Sequence, residues 1–156
     1  MKHLLTAFVI IFFTVILSAC STVPLGSAGL QGESTLSAVR ELTGAYENRN
    51  LDSFMDKIST AYPDREGLGK SVEKIFSTYQ TIRFKLHFTK ILVMVQDKGN
   101  IKATFTWEGE WQTTGGRIVK DGARVTLVFD PGTYKLLAID GKNMFLPSEN
   151  PAPVRQ

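Results

Sequence analysis

The sequence predicts a single α+β domain in which N-terminal helices pack on one face of a strongly curved antiparallel sheet. Up to Tyr79, apolar residues recur with the period of about 3.6 that is typical of helices. From Ile82 onward the period changes to 2, which is typical of strands. Short turns rich in glycine, asparagine and proline separate the alternating segments, and such turns favour an antiparallel meander.

The first half of the domain predicts three helices. The first is expected to begin after Ser34 and the second after Asn50, because both residue types are favoured at helix N-caps. Pro63 ends the second helix, since the residue before a proline is disfavoured in helical conformation. The third helix has the most regular apolar stripe, formed by Leu68, Val72, Ile75, Phe76 and Tyr79.

The strands show one irregularity and one row of large inner residues. Alternation runs from Ile82 to Phe88 and resumes with opposite parity at Ile91, which predicts a β-bulge within one long strand. Two further strands are predicted, at 125–129 and 134–140. A separate strand at 101–111 follows the bulged strand after the turn at 97–100. Its side chains expected to face the helices are those of Ile101, Ala103, Phe105, Trp107, Gly109 and Trp111.

The N-terminal segment has a different character. After Lys2, residues 4–19 carry no charge, and small residues lead to the string Leu17-Ser18-Ala19-Cys20. A basic start, a short apolar run and a small-residue exit are typical of a secretory signal. The string resembles a bacterial lipobox, in which the cysteine sulfur receives a diacylglyceryl group and cleavage frees an amine that is also acylated. The resemblance implies a lipoprotein signal peptide at 1–19 and lipidation at Cys20, and two or more acyl chains suffice for stable membrane anchoring.

An uncleaved anchor helix is the alternative for this segment. A membrane-spanning helix needs roughly 20 apolar residues, so this run is short, and no basic cluster follows Cys20. Ser21 stands where inner-membrane lipoproteins of many Gram-negative bacteria carry an aspartate. By that resemblance, we expect the lipid to hold the protein at the outer membrane of the cell envelope, facing the periplasm.

Composition sets the remaining boundaries. Residues 20–33 are small and glycine-rich, which predicts a flexible tether. The proline-rich residues 147–156 predict a disordered tail, which leaves 34–146 as the single folded domain.

The only cysteine, Cys20, is consumed by lipid, so no disulfide and no zinc site are expected. The net charge of +3 is scattered, which argues against nucleic acid as a partner, and no metal or other cofactor is predicted.

Two stretches resemble a known superfamily. Residues 45–55 (AYENRNLDSFM) combine an aromatic at the end of a helix, a polar turn, Leu-Asp and a second helix. The last hairpin, VTLVF at 125–129 followed by KLLAIDG at 135–141, completes the likeness. Both are similar to the cone-shaped fold of the nuclear transport factor two-like superfamily, which includes ketosteroid isomerases and polyketide-cyclase-like proteins. The resemblance implies the cone fold, and enzymes, binding modules and assembly proteins all use such a fold.

The sequence offers no convincing catalytic group, so no catalytic residue is predicted. His87 alternates with apolar residues and shares the phase of Arg83 and Lys85, which places it on the outer face of the sheet. No inward-facing position between Ile82 and Trp111 carries a carboxylate that burial could convert into a base. A binding or assembly module is therefore expected. The alternatives are a small isomerase-like or hydrolase-like enzyme and a pilotin-like envelope-assembly lipoprotein.

Two candidate binding surfaces follow from the strand faces. Glycine within a strand often marks a bend or a close approach of a ligand, so an apolar ligand pocket inside the cone is one interpretation. The other is that the glycine lets the sheet curl around a filled core. The predicted pocket residues are Tyr46, Tyr62, Phe84, Trp107, Gly109 and Trp111.

On the outer face, an apolar patch is expected to bind a second copy of the chain or an envelope protein, unless the tether covers it. Its predicted residues are Leu92, Met94, Val128, Leu137 and Ile139.

Overall fold

The computed structural model describes residues 27–96 and 99–148, and the side chains of 31–88 and 99–148. Helices precede strands along the chain, as the change of period predicts. The elements are α1 (Ser27–Glu47), α2 (Leu51–Asp56), α3 (Arg65–Thr78), β1 (Tyr79–Gln96), β2 (Asn100–Thr113), β3 (Ile118–Phe129) and β4 (Leu136–Gly141).

The four strands form one antiparallel sheet in the order β1-β2-β3-β4, which confirms the meander. The predicted β-bulge is present in β1. His87 lies opposite Thr106 and Lys90 lies opposite Thr104, so β1 takes three residue steps where β2 takes two. An extra residue of this kind bends the strand and increases its twist. It contributes to the curvature of the sheet around the helices.

The core lies between the helices and the inner face of the sheet. Every predicted inner position of β2 from Ile101 to Trp111 is buried, and the intervening residues are more exposed. The helices contribute a matching set of buried apolar residues, among them Leu42, Tyr46, Phe54, Val72 and Phe76.

The helix caps explain where the short helices start. The Asn50 side chain accepts a hydrogen bond from Ser53 N at 2.9 Å, as predicted from the sequence. Asp64 caps α3 in the same way, through Gly67 N at 3.0 Å.

The first helix begins earlier than expected. It starts at Ser27 rather than after Ser34, so the second half of the predicted tether is helical, while residues 20–26 lie outside the described residues. Thr35 lies inside this longer helix: its side chain is fully buried, and its hydroxyl donates to Gln31 O one turn earlier. Adding a residue to an existing helix gains one backbone hydrogen bond, which offsets the low helix propensity of the glycines here.

A C-terminal strap, residues 142–148, closes the core. Met144 and Phe145 are fully buried. Asp121 on β3 fixes the strap, because its carboxylate pairs with Lys142 and accepts Ser148 N at 3.0 Å. Burial alone would raise the pKa of Asp121, but the hydrogen bonds from Lys142, Ser148 and Gly122 together hold it below its ordinary value. The strap includes Pro147 and Ser148, the first two residues of the predicted tail, and residues 149–156 lie outside the described residues.

Candidate functional site

Five of the six residues predicted to line an apolar pocket meet in the interior. The ring of Phe84 lies between the others, with its centroid 5.5 Å from Tyr46, 6.0 Å from Trp107 and 5.6 Å from Trp111. Gly109 lies opposite Phe84 on the neighbouring strand. The sixth residue, Tyr62, is half-buried and packs against the same core. Tyr46, Phe84, Trp107 and Trp111 therefore form one aromatic cluster.

The space in front of Gly109 is occupied, however, and this corrects the expectation of a ligand gap there. A Cβ atom at this position would lie 2.3 Å from Trp111 Cη2 and 3.0 Å from Phe84 Cε1. Such distances are far inside van der Waals contact. The glycine makes room for the indole of its own strand, which is the alternative interpretation of the sequence.

Polar atoms within this cluster bond mainly to one another. Trp111 Nε1 donates to the Tyr46 hydroxyl at 3.2 Å, and that hydroxyl donates to Phe145 O at 2.6 Å. Burial raises the pKa of the Tyr46 phenol well above its ordinary value, so it stays protonated at neutral pH. Among the described side chains, no acceptor reaches the buried Trp107 Nε1. The cluster is therefore a packed aromatic core that holds the strap in place.

The outer face of the sheet differs from the prediction at its edge. Leu137 is the extra residue of a bulge in β4, because Val128 lies opposite Ala138 while Phe129 lies opposite Leu136. The bulge reverses the parity, and Ile139 falls opposite the buried Leu127 and packs against the core. The assignment of Ile139 to the outer face was wrong for this reason. Val128 and Leu137 are half-buried. Leu92 and Met94 lie in β1, but their side chains fall outside the described residues.

His87 occupies the exposed position that its parity predicts. Its side chain is 61% exposed, and its Nε2 lies 3.7 Å from a carboxylate oxygen of Glu108 on the neighbouring strand. An exposed pair at this distance is worth little in stability. Within the described residues, no group of three or more His, Cys, Asp and Glu side chains could hold a metal ion.

The sequence did not predict the open groove on the helical side of the molecule. The groove has a volume of about 750 Å³ and lies between α1, α2 and the turn from β3 to β4. It could not be read from the sequence because its three walls are far apart along the chain and none carries a motif. Its lining residues are Ser34, Ser37, Ala38, Glu41, Ser53, Asp56, Lys57, Thr133, Tyr134 and Lys135.

One ion pair joins two walls of this groove. Lys57 at the end of α2 forms an ion pair with Glu41 of α1, and Ser37 Oγ donates to the same carboxylate at 3.1 Å. The hydrogen bonds from Lys57 and Ser37 hold the pKa of Glu41 below its ordinary value.

The backbone joins the remaining walls of the groove. Leu136 N donates to Lys57 O at 2.8 Å, and Ser59 N donates to Leu136 O at 2.9 Å. The groove is therefore a fixed depression with polar walls.

Comparison with known proteins identifies the fold. No protein-family model matches the chain, and no curated protein matches it by sequence. None of the helices in the described part of the chain is long and apolar enough to cross a membrane.

Several solved structures are similar to the chain. AusH from Aspergillus nidulans is 9% identical, covering 69% of this chain and 81% of its own, with a TM-score of 0.55. PrhC from Penicillium brasilianum is 12% identical, and the match covers 70% of this chain and 79% of PrhC, with a TM-score of 0.57. An NTF2-like protein of unknown function from Exiguobacterium sp. 255-15 is 11% identical, and the match covers 74% of this chain and 99% of that protein, with a TM-score of 0.50. The domain thus has the cone fold of the nuclear transport factor two-like proteins.

Proposed function

We propose that this domain is a binding module of a bacterial cell envelope, held by lipid on Cys20 and facing the periplasm from the outer membrane. The observation that carries the binding role is the contrast between two spaces. The cone interior around Gly109 is filled by aromatic side chains, whereas the groove beside α1 is open and lined with polar groups. The lipobox string and the adjoining Ser21 support the membrane address.

An enzyme working inside the cone is less well supported. An isomerase or hydrolase needs an acid or base that faces an open chamber. In the described interior, the Tyr46 hydroxyl already donates to Phe145 O, and its raised pKa makes it a poor proton donor or acceptor at neutral pH. A second copy of the chain, or an envelope protein of the kind served by pilotins, remains part of the proposal as a partner for the outer sheet face.

The anchoring half of the proposal predicts the behaviour of Cys20→Ser. This variant should lose labelling by fatty acid and should accumulate as an uncleaved or soluble protein, because no thiol remains to accept the diacylglyceryl group. Ser21→Ala is the matched control and should be labelled and processed like wild type. If Cys20→Ser stays in the membrane fraction with unchanged mobility and wild type carries no lipid, the segment is an anchor helix instead.

The binding half is tested by native mass spectrometry of the mature protein, extracted in mild detergent from its own host. A retained small molecule, a partner protein or a dimer mass would support a binding module. A bare monomer would contradict it. Bound ligand and oligomeric state are both read from the same spectrum.

A further inference from the structure

Tyr134, at the edge of the groove, has a backbone conformation that tyrosine normally avoids. Its φ is +53°, and its N–H donates to Asp130 O at 2.8 Å to close the turn. Glycine or asparagine is the usual residue at such a left-handed position, because a Cβ there crowds the backbone. A bulky residue in this region is an outlier whose cause has to be sought in its surroundings.

Arg49 also has a positive φ, and in its case hydrogen bonds of the side chain explain the conformation. Its φ is +55°, and its guanidinium donates to Phe76 O at 2.8 Å and to Gln80 O at 3.3 Å. These bonds satisfy carbonyls at and just beyond the end of α3 and offset the strain. Tyr134 instead places a half-buried ring, with one side on the core, beside an open groove.

The turn that carries Tyr134 is rigid. One carboxylate oxygen of Asp130 accepts bonds from Gly132 N, Thr133 N and the Thr133 hydroxyl, at 3.1, 2.8 and 2.9 Å. The backbone that carries Tyr134 is therefore fixed before any ligand arrives, which lowers the entropic cost of binding.

The chemistry of the groove favours an uncharged ligand with many hydroxyl groups. Glu41 and Asp56 are balanced by Lys57 and Lys135, and Glu41 is already paired with Lys57, so the charges in the groove balance to zero. The hydroxyls of Ser34, Ser37, Ser53 and Thr133 can each donate and accept. Tyr134 is the one aromatic residue in the lining. An aromatic ring has an apolar face that can pack on a ligand beside such polar groups.

We propose that this groove is a carbohydrate-binding site, in which the Tyr134 ring packs on the apolar face of a sugar and the surrounding hydroxyls bind the sugar's hydroxyls. The inference rests on the proposed function, because it names the ligand class of the same binding module. A pyranose presents C–H groups on one face and hydroxyls around its rim, which suits a lining that combines one aromatic residue with several hydroxyls. The volume of about 750 Å³ lies within the usual range of roughly 300–1,000 Å³ for ligand sites.

The test is an NMR titration of the lipidated, ¹⁵N-labelled mature protein in detergent micelles. The probes are the neutral trimers of glucose and of N-acetylglucosamine, with the triply cationic glucosamine trimer as the charge control. At least one neutral trimer should shift the amides of Ser37, Ser53 and Tyr134, with a Kd in the millimolar range or tighter. The cationic trimer should bind no more tightly than its neutral counterpart, because the groove has no excess negative charge to attract it.

Variants of Tyr134 separate the proposed role from a packing role. Tyr134→Asn keeps a residue suited to positive φ but removes the ring, and it should weaken binding at least about tenfold, equivalent to about 1.4 kcal/mol. Tyr134→Phe keeps the ring and should bind nearly as well as wild type.

Should Tyr134→Asn fail to fold, the double variant Ser37→Ala/Ser53→Ala removes two hydroxyls from the lining and should weaken binding. Ser77→Ala on α3, outside the groove, is its control.

The proposal is overturned if neither neutral trimer shifts these amides, or if folded Tyr134→Asn binds like wild type. In the first case, native mass spectrometry of the host protein separates the two proposals. A retained peptide or protein partner would leave the binding module standing with a ligand of another class. A bare monomer, with or without lipid, would remove both.

Discussion

At the scale of single residues, Gly109 illustrates how one missing side chain sets the packing of the interior. The Trp111 indole occupies the place where a Cβ of residue 109 would lie, and Phe84 closes the same space from β1. Protein interiors are packed nearly as densely as organic crystals, so a buried ring of this size has little room to move aside. The glycine is therefore required by packing and does not mark a vacancy.

The packing around Gly109 predicts opposite effects for two glycine-to-alanine changes. Gly109→Ala should destabilise the fold by about 1–3 kcal/mol, because the new methyl group overpacks against the Trp111 ring. Gly44→Ala is the matched control: a Cβ there meets nothing within 4 Å, and alanine in a helix interior should stabilise by about 0.5–1 kcal/mol. Urea unfolding followed by tryptophan fluorescence measures both. A neutral or stabilising Gly109→Ala would show that the indole does not occupy this space.

At the scale of elements, the bulges decide which side chains reach the core. The bulge in β1 could be predicted because apolar residues resume with inverted parity over several positions. The bulge in β4 could not, because Leu136, Leu137 and Ile139 are all apolar and the strand is only six residues long. Only the pairing with β3 shows that Leu137 is the extra residue. Where apolar and polar residues alternate, the sequence predicts which side chains face the core. Where consecutive residues are all apolar, only the strand pairing shows which of them do.

The corrected faces predict different costs for two lysine substitutions. Ile139→Lys should destabilise by about 2–3 kcal/mol, because it brings a charge against the core next to Leu127. Val128→Lys, on the outer face opposite Ala138, should cost at most about 1 kcal/mol. Thermal unfolding compares the stabilities, and sedimentation at equal concentrations shows whether Val128→Lys also reduces self-association. Equal losses of stability would mean that the two side chains share one environment.

At the scale of the whole molecule, more of the fold than of the candidate site could be predicted from the sequence. Helical and strand periods are local, so the order of the elements, the sheet topology and the inner row of β2 were all predictable. The groove is different in kind. Its walls come from Glu41, Lys57 and Tyr134, which are brought together only when β4 pairs with the end of α2. Neither the positive φ of Tyr134 nor the ion pair has a local sequence signal.

The strap completes the core of the molecule, although its residues lie beyond the last strand. Met144 and Phe145 are fully buried, and the Tyr46 hydroxyl on α1 donates to Phe145 O. Removing a buried phenylalanine side chain costs about 3–5 kcal/mol, and a small domain has only about 5–15 kcal/mol in total. The strap therefore contributes a large share of the stability, although it forms no helix or strand.

Two truncations of the mature protein test this role of the strap. A chain ending at Lys142 should lose cooperative thermal unfolding, since it lacks Met144, Phe145 and the acceptor for Tyr46. A chain ending at Ser148 is the control and should unfold like wild type, because it keeps the bond from Ser148 N to Asp121. Phe145→Ala gives a graded version and should cost about 3–5 kcal/mol. If the shorter chain melted cooperatively within a few degrees of the control, the helices and sheet would suffice without the strap, and the cone would be closed by other contacts.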